Sequence, residues 1–257
     1  MGESIINVSG VSKVYPGGAG IFNVNINIDK NGVYGLLGEN GAGKSTLMSI
    51  MTGYMSPTSG NVSICGHDMF KEPVKAKSNI GYLPDTVPVY DDMTVWEYLN
   101  FVAQLRGIKK SDRMATVNDV LEKTNLDEVK NRLIRNLSKG FRQRVGLAQA
   151  IIAPNKLLIL DEPTNGLDPA QIAETRAIIE SLKEDRVIIL SSHILSEIEG
   201  LCEDVFIMSK GNIIFNGKLF ELEKDGMNLE EAFLQIISKN NDENIDTKGD
   251  DLDDSDI

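Results

Sequence analysis

The sequence predicts an α/β protein with a mostly parallel sheet at its core, an N-terminal antiparallel β lobe, and an α-helical subdomain inserted between the strands. Three observations carry this reading. Segments such as "VYGLLG" (33–38), "LLIL" (157–160) and "VIIL" (187–190) are nearly all apolar, the pattern of strands covered on both faces in a parallel sheet. "FNVNINID" (22–29) alternates apolar and polar residues with period two, as a half-buried antiparallel strand does. Between about residues 88 and 153 the pattern turns helical and interrupts the strand series.

Each element follows from local chemistry. After the strand at 33–38 comes a glycine-rich turn, and "KSTLMSIMTG" (44–53) is a short helix stopped at Gly53. "SPTSG" (56–60) is a turn and "NVSICG" (61–66) another short strand. Thr94 and Glu97 have the Thr-x-x-Glu spacing of a capping box and open the helical stretch, which "SDRMATVNDVLEKT" (111–124) continues. "NLSKGFRQRV" (136–145) is a basic turn ahead of a buried helix that ends before Pro154; alone, it reads as a helix N-terminus with a solvated basic face. Strands return at 157–160, 187–190 and "DVFIM" (204–208), separated by helices after Asp168-Pro169 and after His193. A strand pair, "VFIMSKGNIIFNG" (205–217), turns at Lys210-Gly211-Asn212, and "NLEEAFLQII" (228–237) is a closing helix.

Composition limits the classes of function. With 41% hydrophobic and 25% charged residues the chain is ordinary for a globular protein, and its longest apolar runs fall far short of the roughly 18 residues a membrane span requires. Cys65 and Cys202 lie far apart with no metal-ligand spacing, and the start "MGESIINVSG" has neither a basic nor an apolar signal region, so a cytoplasmic setting is expected. Of the net charge of −12, residues 241–257 contribute −7, from eight acidic side chains against Lys248. That segment is expected to be a disordered acidic tail following a folded domain over 1–240. Nothing in the chain is basic enough to follow a nucleic-acid backbone.

"GENGAGKST" (38–46) matches Gly-x-x-x-x-Gly-Lys-Ser/Thr directly after a buried strand and at the start of a helix, the setting of a P-loop NTPase core. Gly38, Asn40, Gly41, Ala42, Gly43, Lys44, Ser45 and Thr46 are therefore candidate nucleotide-binding residues. Glycines let backbone N–H groups turn inward onto phosphates, and the helix N-terminus adds partial positive charge. Lys44 would reach the β- and γ-phosphates, and Ser45 would ligate Mg²⁺. "LLILDEPTNGLDP" (157–169) supplies an apolar strand ending in two carboxylates: Asp161 to orient Mg²⁺, Glu162 to polarise the attacking water as general base. "SSH" (191–193) ends the next strand, where His193 can sense a γ-phosphate; His67, in the turn "CGHD", has no such context.

The order P-loop, helical insert, "LSKGFRQRV", "LLILDEP", "GLDP" and "SSH" resembles the ATP-binding subunits of ABC transporters over roughly residues 4–237. The resemblance implies that Ser138, Lys139 and Gly140 form the signature turn, which binds the γ-phosphate of ATP held by a second subunit, identical or not. It implies further that Asp168 faces that subunit in the D-loop, although Asp168-Pro169 is also a sound helix start. Tyr15 takes the place of the aromatic ring that stacks on adenine. Two positions depart from the family pattern. Lys139 replaces a signature glycine, beside Phe141 in place of glutamine, and either adds charge at the γ-phosphate or points to solvent. Asp85 stands where a glutamine links Mg²⁺ to the membrane partner; a carboxylate there can accept from a metal-bound water but repels phosphate.

The resemblance implies an ATPase that uses ATP and Mg²⁺, dimerises around two ATP, and drives a separate integral membrane permease from the inner face of the cell membrane. "GYLP", "LSKGFRQR" and "SSHILSEIE" look most like export-type, ABC-2-like systems. The alternative is a soluble ABC-type ATPase that remodels a protein or cofactor-assembly complex without a membrane partner. A regulatory, inactive cassette is a lesser alternative, opposed by the intact Lys44, Asp161, Glu162 and His193.

Overall fold

Alternation along the first strands builds a four-stranded antiparallel sheet. In β1 (Ile6–Val14) and β2 (Gly20–Ile28) the residues Ile6, Val8, Val11, Ile21, Val24, Ile26 and Ile28 are buried, while the asparagines between them in β2 face outward. The structure, a computed structural model, describes residues 4–222 and 229–246.

The chain then enters the second sheet at β3 (Gly32–Leu37) and continues through α1 (Lys44–Met51). It returns to the first sheet in β4 (Ser59–Ile64) and β5 (His67–Asp68), where the order is β2-β1-β4-β5. After α2 (Pro73–Ser78) and β6 (Ile80–Leu83) come α3 (Val95–Leu105), α4 (Lys110–Lys123) and α5 (Lys139–Ile151), the helices between β6 and β7 (Leu157–Leu160). The remaining elements are α6 (Pro169–Leu182), β8 (Val187–Ser192), α7 (Leu195–Ile198), β9 (Asp204–Ser209), β10 (Asn212–Lys218) and α8 (Leu229–Asp246).

The second sheet has the order β10-β9-β3-β8-β7-β6, parallel from β9 to β6 with β10 antiparallel at one edge. Its central strands are apolar throughout because both faces are covered. Leu158, Leu160, Ile188 and Leu190 join one core with α3, α4 and α5, whereas Leu157, Ile159, Val187 and Ile189 join the other, with α1 and the antiparallel sheet. The capping box is formed as expected: Glu97 N–H donates to Thr94 Oγ1 at 3.2 Å and Thr94 N–H to Glu97 Oε2 at 2.8 Å, which holds the Glu97 carboxyl below its usual range.

Several elements carry no sequence expectation: β1, the two-residue β5, α2 and β6. One expectation is corrected. The closing helix runs to Asp246, so residues 241–246 have helical backbone instead of opening a disordered tail. Extending an existing helix adds one hydrogen bond per residue fixed, without a new nucleation cost, so a polar run can follow an amphipathic one. The rest of the acidic segment, 247–257, lies outside the described residues.

Candidate functional site

Strand order brings the motifs together. In the sequence β9-β3-β8-β7-β6 the carboxyl ends of β3, β8 and β7 are neighbours, so the turns leaving them share one end of the sheet. Those turns hold the P-loop, His193 and the Asp161-Glu162 pair respectively. They line a cleft of about 550 Å³ with Glu39, Asn40, Gly41, Gly43, Lys44, Ser45, Thr46, Asp85, Asp161, Glu162, Asn165 and His193.

The P-loop folds as it does because α1 starts on Gly43, whose φ of 106° a side chain would strain. There is also no room: a Cβ there would meet Ile21 Cγ2 at 2.5 Å. Gly38 and Ala42 do not line the cleft. Gly38 presents its carbonyl to the Lys44 ammonium at 2.7 Å, and Ala42 is buried, its carbonyl accepting from Gly211 N–H at 3.0 Å. Lys44 is only 6% exposed; its ammonium also donates to Glu39 O at 3.3 Å and lies 3.6 Å from Glu162 Oε1.

Glu162 is the hub of the polar groups. It follows the last residues of β7 with φ 48°, a left-handed backbone unusual for a non-glycine residue. Its Oε2 lies 2.9 Å from His193 Nδ1. A carboxylate only accepts, so Nδ1 carries the hydrogen of this bond. Lys44 and His193 thus hold the two carboxylate oxygens, which fixes the direction in which the side chain points into the cleft. Asp161 is 5% exposed and backbone-bound to β6, through its N–H to Leu83 O at 2.8 Å.

Sequence reasoning passed over Ser191 and Asn165. Ser191 is fully buried; its hydroxyl donates to Asp161 Oδ1 at 2.6 Å and accepts from Glu162 N–H at 2.9 Å. The signal was present in the parallel register, since Leu160 pairs with Leu190 and the next residues on each strand are Asp161 and Ser191. Asn165 donates to Asp85 Oδ1 at 3.2 Å, so the departure at 85 is tied to the turn after Glu162.

The remaining candidates stand elsewhere. Tyr15 does not line the cleft, but its hydroxyl is 3.3 Å from Thr46 Oγ1, which does. Ser138 caps α5, accepting from Phe141 N–H at 3.4 Å. Gly140 is packed so closely on α6 that a Cβ would fall 2.5 Å from Gln171 Cδ. Lys139 is exposed, its ammonium against Gly166 in the turn that leads to Asp168. The other cations of the basic turn are engaged within the chain: Arg142 with Asp91 at 2.9 Å, and Arg144 with Glu174 at 3.1 Å and over the Phe141 ring. Asp168 caps α6 through Gln171 N–H at 2.9 Å, with Pro169 in the first turn. His67 pairs with Glu72 at 3.4 Å and does not line the cleft.

A family model described as ABC transporter matches residues 21–165. The chain belongs to the ABC transporter ATP-binding family. It is 40% identical over 231 residues to the lantibiotic transport ATP-binding protein SrtF of Streptococcus pyogenes, covering 89% of this chain and 96% of that protein. It is 38% identical over 214 residues to the bacitracin transport ATP-binding protein BcrA of Bacillus licheniformis, covering 82% of this chain and 69% of the relative. A solved structure of an ATP-binding subunit of an ABC transporter superposes with a TM-score of 0.81 at 27% identity, over 90% of this chain and 99% of its own. This ABC cassette is accordingly an ATP-binding, ATP-hydrolysing transporter subunit. Among the described residues no helix is long and apolar enough to cross a membrane.

Proposed function

We propose that the cassette hydrolyses ATP in sites shared between two subunits, identical or not, and couples this to an integral membrane permease working in export. The observation that carries the proposal is the division of the candidate residues. Lys44, Asp161, Glu162 and His193 converge on one cleft, while the signature residues Ser138, Lys139 and Gly140 lie outside its lining. In this reading the P-loop N–H groups and the Lys44 ammonium bind the β- and γ-phosphates, and Tyr15 stacks on the adenine. Glu162 takes a proton from the attacking water, and His193 keeps its carboxylate aimed. Ser138, Lys139 and the Gly140 N–H meet the γ-phosphate held by the other cassette, and Asp168 faces that cassette.

Mg²⁺, when bound, neutralises phosphate charge, and Ser45, Asp161 and Asp85 would hold it. The donor set fits: a hydroxyl and two carboxylates are hard oxygen ligands. Among the described residues no group of three His, Cys, Asp or Glu side chains makes a metal cage by itself. That suits a cation carried in with phosphates.

Lys44→Ala is expected to weaken ATP binding about 10–100-fold, the loss of one charge-assisted contact. Titration with a fluorescent ATP analogue measures it, and unchanged affinity would sink the P-loop assignment.

The permease would dock on the aromatic groove beside α3. Pro88, Val89, Tyr90, Tyr98, Phe101 and Leu105 line a depression of about 370 Å³, with Tyr90 and Leu105 more than half exposed. Burial pushes the Tyr98 phenol up to about 12, and its hydroxyl donates to Pro88 O at 2.8 Å. A peripheral position on the inner face of the membrane follows from a permease partner in this reading, and export is supported by the relatives named for lantibiotic and bacitracin transport. Leu105→Asp, a change at an exposed residue, is expected to leave nucleotide affinity intact. It should remove the cassette from the membrane fraction when the permease is co-expressed. A Leu105→Asp chain that stays with the membrane fraction as the parent does would remove this groove from the docking surface.

A further inference from the structure

We propose that Ser191 is a positioning residue for hydrolysis, fixing through one hydroxyl both the carboxylate of Asp161 and the backbone of Glu162. The proposal rests on the reading of Asp161 and Glu162 given above.

A serine hydroxyl has one hydrogen and two lone pairs. The hydrogen goes to Asp161 Oδ1 at 2.6 Å, within the range of a charge-assisted O–H···O⁻ bond. A lone pair then receives Glu162 N–H at 2.9 Å. The two bonds require opposite roles of the same oxygen and so do not compete. Ser191 is fully buried at the end of β8, one of the central strands of the parallel sheet, so its position is set by the sheet.

Each bond has a separate consequence. Occupying Oδ1 fixes the Asp161 rotamer and leaves Oδ2 as the oxygen for a cation's water shell. Holding Glu162 N–H supports the left-handed backbone at φ 48°, the conformation in which Oε1 lies toward Lys44 and Oε2 toward His193. The neighbouring Ser192 is equally buried, yet its hydroxyl donates to Glu197 Oε2 at 2.6 Å and accepts from Ile194 N–H at 2.9 Å, bonds that serve the turn into α7. Only the first of the two serines touches the carboxylate pair.

The test compares Ser191→Thr with Ser191→Val, side chains of the same shape that differ in the hydroxyl, and adds Ser191→Ala. Three quantities are read: kcat and KM for ATP, the Mg²⁺ concentration at half-maximal binding of a fluorescent ATP analogue, and the melting temperature. Thr is expected to stay near the parent. Val and Ala are expected to lose about 10-fold in kcat at unchanged KM when Mg²⁺ is saturating, and to need about 10-fold more Mg²⁺ to reach half-maximal nucleotide binding. Equal behaviour of Thr and Val, or an Ala variant matching the parent in kcat and Mg²⁺ midpoint, overturns the proposal. So does an Ala variant that no longer folds, which would assign the hydroxyl to the fold instead. Glu162→Gln run alongside separates the levels: if it too hydrolyses ATP at the parent rate, the site reading has failed, and not the role of Ser191 alone.

Discussion

Glu162→Gln is expected to slow ATP hydrolysis about 10²–10⁴-fold while leaving ATP affinity equal to the parent or tighter. The substitution preserves the shape of a side chain held at both ends, by Lys44 at 3.6 Å and His193 at 2.9 Å. A glutamine can still offer its oxygen to the His193 N–H, but its amide nitrogen then faces the Lys44 ammonium, and neither end can take a proton from water. Losing one negative charge from a cleft that also contains Asp85 and Asp161 favours a polyanionic ligand. Uncleaved ATP should then hold two cassettes together, so a dimer is expected to accumulate in Mg-ATP. Sizing chromatography shows the dimer and phosphate release shows the rate. Hydrolysis at the parent rate would remove Glu162 from the role of base.

The sequence made the cleft legible where a motif names a chemical task and a strand fixes its place. "GENGAGKST" and "LLILDEP" sit at the ends of strands whose apolar runs demand burial on both faces. The parallel order β3-β8-β7 then leaves them no option but to meet. What stayed hidden depended on contacts between segments distant in the chain. Ser191 reads as any polar residue at a strand end until the register sets it opposite Asp161. Asp85 reads as a departure with no partner until Asn165, 80 residues away, donates to it. Arg142 and Arg144 look like a basic surface beside the signature turn, yet their charges are met by Asp91 and Glu174 from other elements. The edges of the fold were obscure for a different reason: β1 is bulged against β2 and its polar residues break strict alternation, so period two fades. At the other end, α8 outlasts its apolar stripe, because helix propagation needs no buried face of its own.

Mixing two inactive chains is expected to restore ATPase activity if the signature turn works on the other subunit's nucleotide. Ser138→Arg should keep its own P-loop intact, because Ser138 and Lys139 lie outside the cleft that holds Lys44. The arginine replaces an exposed residue at the start of α5, so the cost is confined to one helix cap, about 1 kcal/mol. Its bulk would block the approach of a γ-phosphate from the opposite side. Lys44→Ala has the reverse defect, a crippled P-loop beside an intact signature turn. A mixed dimer therefore contains one site with both halves intact and one with neither. With equal amounts and random pairing, half the dimers are mixed and each has one working site of two, so recovery approaches about a quarter of parent activity. The assay is phosphate release from each chain alone, from the mixture, and from the parent at the same concentration. If the mixture stays at the level of the single variants while the parent is active, the signature turn does not act across the dimer of this chain. A parent that is inactive alone but active once a second cassette is supplied would show that the working unit is a heterodimer, and the same exchange of broken halves is then made between the two different chains.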